Sequence, residues 1–250
     1  MTGFDVTACA EDFWKAVGEP EAYPRSLERS ICRAFAVFIV KVPNLDVQAV
    51  NEHLKQRRLP WEMDVAPRRL RACLLARAGM GWVFLDGADP PDQMRFSLAH
   101  EMAHFLLDHL APRRLALATL GNSILDVLDG RRQPTPAEQL HGLLRDIPLG
   151  RFSHFMERDA AGSKPNLETL DAEDRADLLA LELLAPLASV RTTLAAQGHR
   201  WSHIQAGQIA AVLVSEFGLP ASIAASYARH LLARHTPPLT FRQWLTQKSS

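Results

Sequence analysis

The sequence predicts an α+β fold, with a small β-sheet early in the chain and a long helical remainder. Two observations carry that expectation. Short strand candidates cluster before residue 90, the β-branched and aromatic run Val37–Val42 and the segments Ala72–Arg77 and Trp82–Asp86 on either side of a glycine turn, and such runs bounded by turn residues read as strands. From Asp89 onwards the apolar residues recur mainly at helical spacing.

Taken in order, residues 1 to 34 read as amphipathic helix interrupted near Pro20 and Pro24. Val37–Val42 is a strand ended by Pro43 and Asn44. Asp46 is placed to cap a helix running to about Leu54, with Val47, Val50 and Leu54 on one stripe. Ala72–Arg77 and Trp82–Asp86 flank Gly79, Met80 and Gly81, which supply turn chemistry for a hairpin. Asp89 before Pro90 and Pro91 suits an N-cap with proline in the first turn, and the helix it opens should reach about His109. Leu115–Leu128 looks helical and stops at Asp129 and Gly130. Thr135 and Pro136 can start another helix through Leu144, and Ala161–Asn166 reads as a loop. A strong apolar helix spans Asp171–Ala185 and is closed by Pro186, and the remainder to about Leu245 is helical in pattern. The expected organisation is a domain over residues 1–190, with a helical elaboration at 112–170, followed by a helical C-terminal region at 191–250.

Composition narrows the function classes. Lysine plus arginine and aspartate plus glutamate balance at 28 each, which removes the basic excess usual for phosphate binding. A hydrophobic fraction of 47% argues against disorder. Cys9, Cys32 and Cys73 are scattered and form no CxxC pair, so no disulfide framework is suggested and a reducing cytoplasm fits. The first residues, Met1–Asp5, lack the features of a secretory signal. No apolar run is long enough to span a bilayer, so no membrane partner is expected.

The chemistry concentrates in His100-Glu101-Met102-Ala103-His104. At about 100° per residue, His100 and His104 share a helix face one turn apart and can reach one ion. Glu101 flanks that face, placed to hold a water rather than to bind the metal, which is the HExxH arrangement of zinc peptidases. Leu98, Met102 and Phe105 give the helix an apolar back. Catalytic zinc usually takes three protein ligands plus water, so one is missing. His109 lies about 180° from His100 on the wheel and points away. Leu107 and Leu110 stand where the longer metzincin pattern needs Gly and His. Glu173 is the better candidate. It shares a helix face with Asp177, so one carboxylate can bind the ion while the other accepts the free N–H of a ligand histidine. The plain alternative is an acidic first turn that favours the helix dipole.

Arg95-Phe96-Ser97-Leu98-Ala99-His100-Glu101-Met102-Ala103-His104-Phe105-Leu106-Leu107 resembles the RFxLAHExxHxLL signature of the ImmA/IrrE metallopeptidases. A second family block, ExxA leading into FAxxLLxP, is matched by Glu173–Ala176 and Leu179–Pro186, with leucine in place of the usual phenylalanine. The resemblance spans about residues 35 to 190. It implies a zincin-like, gluzincin-like fold with an active-site helix, and Zn2+ held by His100, His104 and Glu173. It further implies Glu101 as general base, and a cytoplasmic helix-turn-helix repressor as the protein substrate, cut to release stress-response or mobile-element genes. The stretch from His104 to Glu173 is longer than expected for short family members. Glu168, Asp171 and Glu157 are therefore fallback ligands. With tyrosine confined to Tyr23 and Tyr227, the candidate transition-state donors are His154 and Arg158.

Gln208–Phe217, then Gly218, Leu219 and Pro220, then Ala221–Leu232 read as helix, turn, helix. Only Ser222, Ser226 and Arg229 of the second helix suit base edges, so a packed αα-hairpin is favoured over direct DNA binding. The rival function is a non-proteolytic regulatory module, binding a repressor or DNA, whose zinc site is structural or vestigial.

Overall fold

The computed structural model describes residues 5–59, 61, 63, 65–144, 152–158 and 167–235. The chain divides into two compact units, Met1–Leu184 and Ala185–Ser250, just ahead of Pro186.

The first unit opens with α1 (Val6–Val17), whose first turn is capped by the Asp5 carboxylate accepting from Thr7 and Ala8 N–H at 3.1 Å. After α2 (Glu28–Ala34) comes β1 (Val37–Val42). α3 (Val47–Gln56) is capped by Asp46, which accepts from Ala49 N–H at 2.7 Å. β2 (Leu70–Arg77) and β3 (Met80–Asp86) form the hairpin. Its turn is tighter than the sequence suggests. Ala78 and Gly79 alone make it, at φ of 55° and 77°, the positive pair that matches strand twist in two-residue hairpins. Met80 and Gly81 belong to the strand instead. Gly81 is needed for close approach, because a Cβ there would lie 3.0 Å from the Phe105 ring.

α4 (Pro91–His104) starts at Pro91 with Pro90 in the cap position. Asp89, expected as the cap, instead takes Arg158 Nη2 at 2.7 Å. The helix then continues as a π-helical turn over Phe105–Leu110, where the Ala111 N–H reaches back to the Leu106 carbonyl, and as α5 (Ala111–Leu120). A 3-10 turn (Asn122–Ile124), α6 (Leu125–Leu128) and α7 (Pro136–Leu144) follow. The start of α7 is a capping box. Glu138 N–H donates to Thr135 Oγ1 at 3.3 Å, and Thr135 N–H to Glu138 Oε2 at 2.8 Å.

The helical elaboration expected over 112–170 is interrupted by β4 (Phe152–Glu157), which pairs antiparallel with β2. Phe-Ser-His-Phe-Met-Glu has no β-branched residue, and it is pairing with β2 that makes it a strand. The four strands lie in the order β1-β3-β2-β4, with β1 parallel to β3 and the other pairs antiparallel. α8 (Leu167–Leu184) closes the unit. The loop expected at Ala161–Asn166 lies outside the described residues.

One sheet face, with α3, buries Leu45, Val50, Leu54, Leu70, Cys73, Leu75 and Phe84. On the other face α4 packs against β2, β3 and α8. Because α4 is covered on both sides, every residue from Phe96 to His104 is buried. The HExxH side chains are therefore held in the interior.

The second unit contains α9 (Leu187–Ala196), a 3-10 turn (Trp201–His203), α10 (Ala206–Ser215) and α11 (Ala221–His235). Gln205 and Gln208 form the box that starts α10. Phe217 and Leu219 are buried in the turn before α11, as are Ala224, Tyr227, Ala228 and Leu231 along α11, while Ser222, Ser226 and Arg229 are exposed. This is the helix, turn and helix expected of the C-terminal region. The extension to Leu245 lies outside the described residues. No single helix among the described residues is long and apolar enough to cross a membrane.

Candidate metal centre

α-Helical spacing brings His100 and His104 onto one face of α4, with their Nε2 atoms 3.1 Å apart. The outer nitrogens are both occupied by carboxylates. His100 Nδ1 lies 2.8 Å from Asp177 Oδ1, and His104 Nδ1 lies 2.6 Å from Asp108 Oδ2. A carboxylate accepts, so each Nδ1 carries the proton and each Nε2 turns a lone pair inward. Two lone pairs facing each other at this distance repel unless a cation or a proton lies between them.

α8 brings Glu173 to the same point. Its Oε2 is 3.3 Å from His100 Nε2 and its Oε1 is 3.6 Å from His104 Nε2. From β4, His154 reaches Glu173 Oε1 with Nε2 at 2.9 Å, and the Glu101 oxygens with Nδ1 at 3.1 and 3.0 Å. One donor atom each from His100, His104, His154 and Glu173 lies within 4.8 Å of all the others. The β2–β4 register sets this. His154 lies opposite Leu74, on the face that α4 covers, while its neighbour Phe155 packs with the α3 cluster.

Zinc with bonds of about 2.0–2.1 Å in a tetrahedron holds its ligand atoms about 3.3 Å apart. The separations among His100, His104 and Glu173, 3.1, 3.3 and 3.6 Å, fit that spacing. His154 differs in orientation. Its ring stacks on His104 at 3.8 Å with an interplanar angle of 25°, whereas the His100 and His104 rings meet at 69°. Imidazole lone pairs lie in the ring plane, so those of two nearly parallel rings run side by side instead of converging. The set is thus three converging donors, with His154 beside them between Glu101 and Glu173.

The electrostatics favour positive charge. Burial alone would lower the His154 pKa, yet Glu101 and Glu173 raise it to about 10. Burial likewise opposes charge on His100, and Asp177 and Glu173 overcome it, raising the pKa to about 9. Burial would raise the Glu173 pKa, but the three histidines hold it far below the usual carboxylate range. Surroundings that draw protons onto buried imidazoles also favour a divalent cation, which competes with those protons.

Of the other expected residues, Arg158 is held by Asp86 at 2.6 Å and Asp89 at 2.7 Å and does not join the cluster. Asp171 is 3.5 Å from Arg175, Glu157 pairs with Arg68, and Glu168 is exposed, so none of the fallback carboxylates joins it either. His109 accepts the Gly79 N–H at 3.1 Å. From the sequence His154 is expected only as a transition-state donor, and Asp108 is not singled out. The available signal for Asp108 was its position four residues after His104, a spacing at which helical side chains meet.

Residues 62–123 match the Peptidase_M78 family model, described as the IrrE N-terminal-like domain. That segment is similar to the ImmA/IrrE family. The matched segment contains β2, β3 and α4, and so His100, Glu101 and His104. His154, Glu173 and Asp177 lie beyond it. The remaining cluster residues come from β4, outside both sequence blocks, and from α8, which carries the second block. No curated protein and no solved structure matched the chain.

Proposed function

We propose that this protein is a zinc-dependent endopeptidase whose ion is held by His100, His104 and Glu173, with Glu101 as general base. The observation that carries the reading is the convergence of His100 Nε2, His104 Nε2 and Glu173 at tetrahedral spacing, beside a fully buried Glu101 carboxylate. An ion held there would lower the pKa of a bound water and polarise the scissile carbonyl. Glu101 takes the proton from the attacking water and returns it to the leaving amine. His154, placed between Glu101 and Glu173, can turn an N–H from one of these carboxylates to the oxyanion as charge develops there. Asp177 keeps His100 in its binding tautomer.

The substrate we infer is a helix-turn-helix transcriptional repressor, whose cutting would derepress stress-response or mobile-element genes in the cytoplasm. The support is the family match together with the two sequence blocks. The test is incubation of the purified chain with helix-turn-helix repressors, starting with any encoded beside it, and mass analysis of the products. Discrete fragments that vanish with chelator and return with zinc are expected. Intact repressors in the presence of about one zinc per chain would overturn the proteolytic reading.

The second reading, a binding module with a structural ion, draws on His154 as a fourth donor, since closed four-ligand sites are structural. The near-parallel stacking of His154 on His104 counts against it.

A further inference from the structure

We propose that Asp108 is a positioning residue for the ion site, fixing the tautomer and aim of His104. The inference rests on the metal reading above. Asp108 Oδ2 lies 2.6 Å from His104 Nδ1, and the Asp108 side chain is 18% exposed while that of His104 is 2% exposed. A contact this short to a largely buried carboxylate is a charge-assisted hydrogen bond. It commits the proton to Nδ1 and leaves the Nε2 lone pair for the side facing His100 and Glu173.

The two histidines of the HExxH pair are therefore oriented by different means. The Asp177 bond to His100 comes from α8 and depends on the packing of two helices. Asp108 belongs to the same helical stretch as His104, in its π-helical turn. Such turns recur at functional sites because they re-aim side chains within an otherwise regular helix. Its other oxygen, Oδ1, is 3.8 Å from Arg175 Nη2, and Arg175 stands between Glu173 and Asp177 on α8. Asp108 thus fixes one ligand locally and faces the helix that supplies another.

A merely structural tie would change stability and leave ion binding alone. The two roles separate in the full chain, with zinc affinity measured by competition against a chromophoric chelator. Asp108→Ala is expected to weaken zinc binding roughly 10–100-fold. Asp108→Asn keeps the shape and an acceptor oxygen but not the charge, and should fall between Asp108→Ala and wild type. Proton NMR of the zinc-loaded wild type should show a low-field imidazole N–H resonance from His104 Nδ1. That resonance should move upfield in Asp108→Asn and disappear in Asp108→Ala. The Asn variant is isosteric, so it carries the comparison alone if the Ala variant does not fold. Zinc affinities within twofold of wild type, or an unchanged His104 resonance, would overturn the assignment of Asp108 while leaving the metal reading in place. A wild-type chain that takes up no zinc would overturn both.

Discussion

The α4 turn with His100 and His104 and the π-helical turn with His109 are consecutive parts of one helical stretch, and all three histidines are buried. Their surroundings are opposite. His100 sits among Asp177, Glu173 and Glu101, and its pKa is raised to about 9. His109 stacks on Phe105, accepts a backbone N–H and lies near Arg113. Burial, followed by the Arg113 charge, lowers its pKa to about 4. Burial alone therefore does not make a histidine a ligand. Carboxylates outweigh burial at His100, whereas at His109 the one carboxylate that acts, Asp129, is outweighed by burial and Arg113. His109 is instead a neutral acceptor that secures the tip of the β2–β3 hairpin through Gly79.

The strongest challenge to this contrast is Glu101→Gln. It should lower cleavage of a cognate repressor by roughly 10²–10⁴-fold, the range for losing a general base, while the chain still holds about one zinc. Loss of the zinc together with activity would place Glu101 among the ligands. His154→Gln comes next. If His154 is an oxyanion donor, kcat should fall roughly 10²–10³-fold with zinc retained. Metal analysis showing that the ion leaves with His154 would favour the closed structural site.

On the π-turn side the effects are on stability. Gly81→Ala should cost about 1–3 kcal/mol in urea unfolding, because the new methyl meets the fully buried Phe105 ring. An unchanged midpoint would mean that the ring moves aside freely. His109 should make the smallest contribution, readable through pH. Its folded pKa is lowered to about 4 from an ordinary 6.5, so between those values the unfolded chain binds more protons and stability falls as pH drops. After allowance for solvent screening this amounts to about 1 kcal/mol between pH 7 and 5. His109→Gln, which can still offer Gly79 an acceptor, should remove that share of the pH dependence and leave zinc content unchanged. Zinc loss in this variant would erase the distinction between the two turns.

The legibility of the site follows the same division. The His100–Glu101–His104 constellation, the Asp46 cap, the strand Val37–Val42 and the C-terminal helix, turn and helix could be read directly. Each rests on spacing within a few residues, and backbone geometry converts that spacing into position without help from the rest of the chain. The hairpin was readable to within its turn, where Ala78 takes a positive φ that its residue type does not announce. Asp89 was misread because a cap and a distant arginine compete for one carboxylate, and only packing shows that Arg158 holds it.

What the sequence determined by itself was a helix with two histidines and a glutamate aimed from one side, in a segment similar to the ImmA/IrrE family. Tertiary structure decided what faces them. β4 has two strand-favouring phenylalanines, Phe152 and Phe155, but no β-branched residue, and its register with β2, Leu74 opposite His154, turns the imidazole towards Glu101. Glu173 is separated from Glu168 and Asp171 by the way α8 lies against α4, and from Glu157 by that residue's pairing with Arg68 on the sheet. These are contacts between residues far apart in the chain. Local periodicity carries no information about which carboxylate will arrive, because that depends on how whole elements pack.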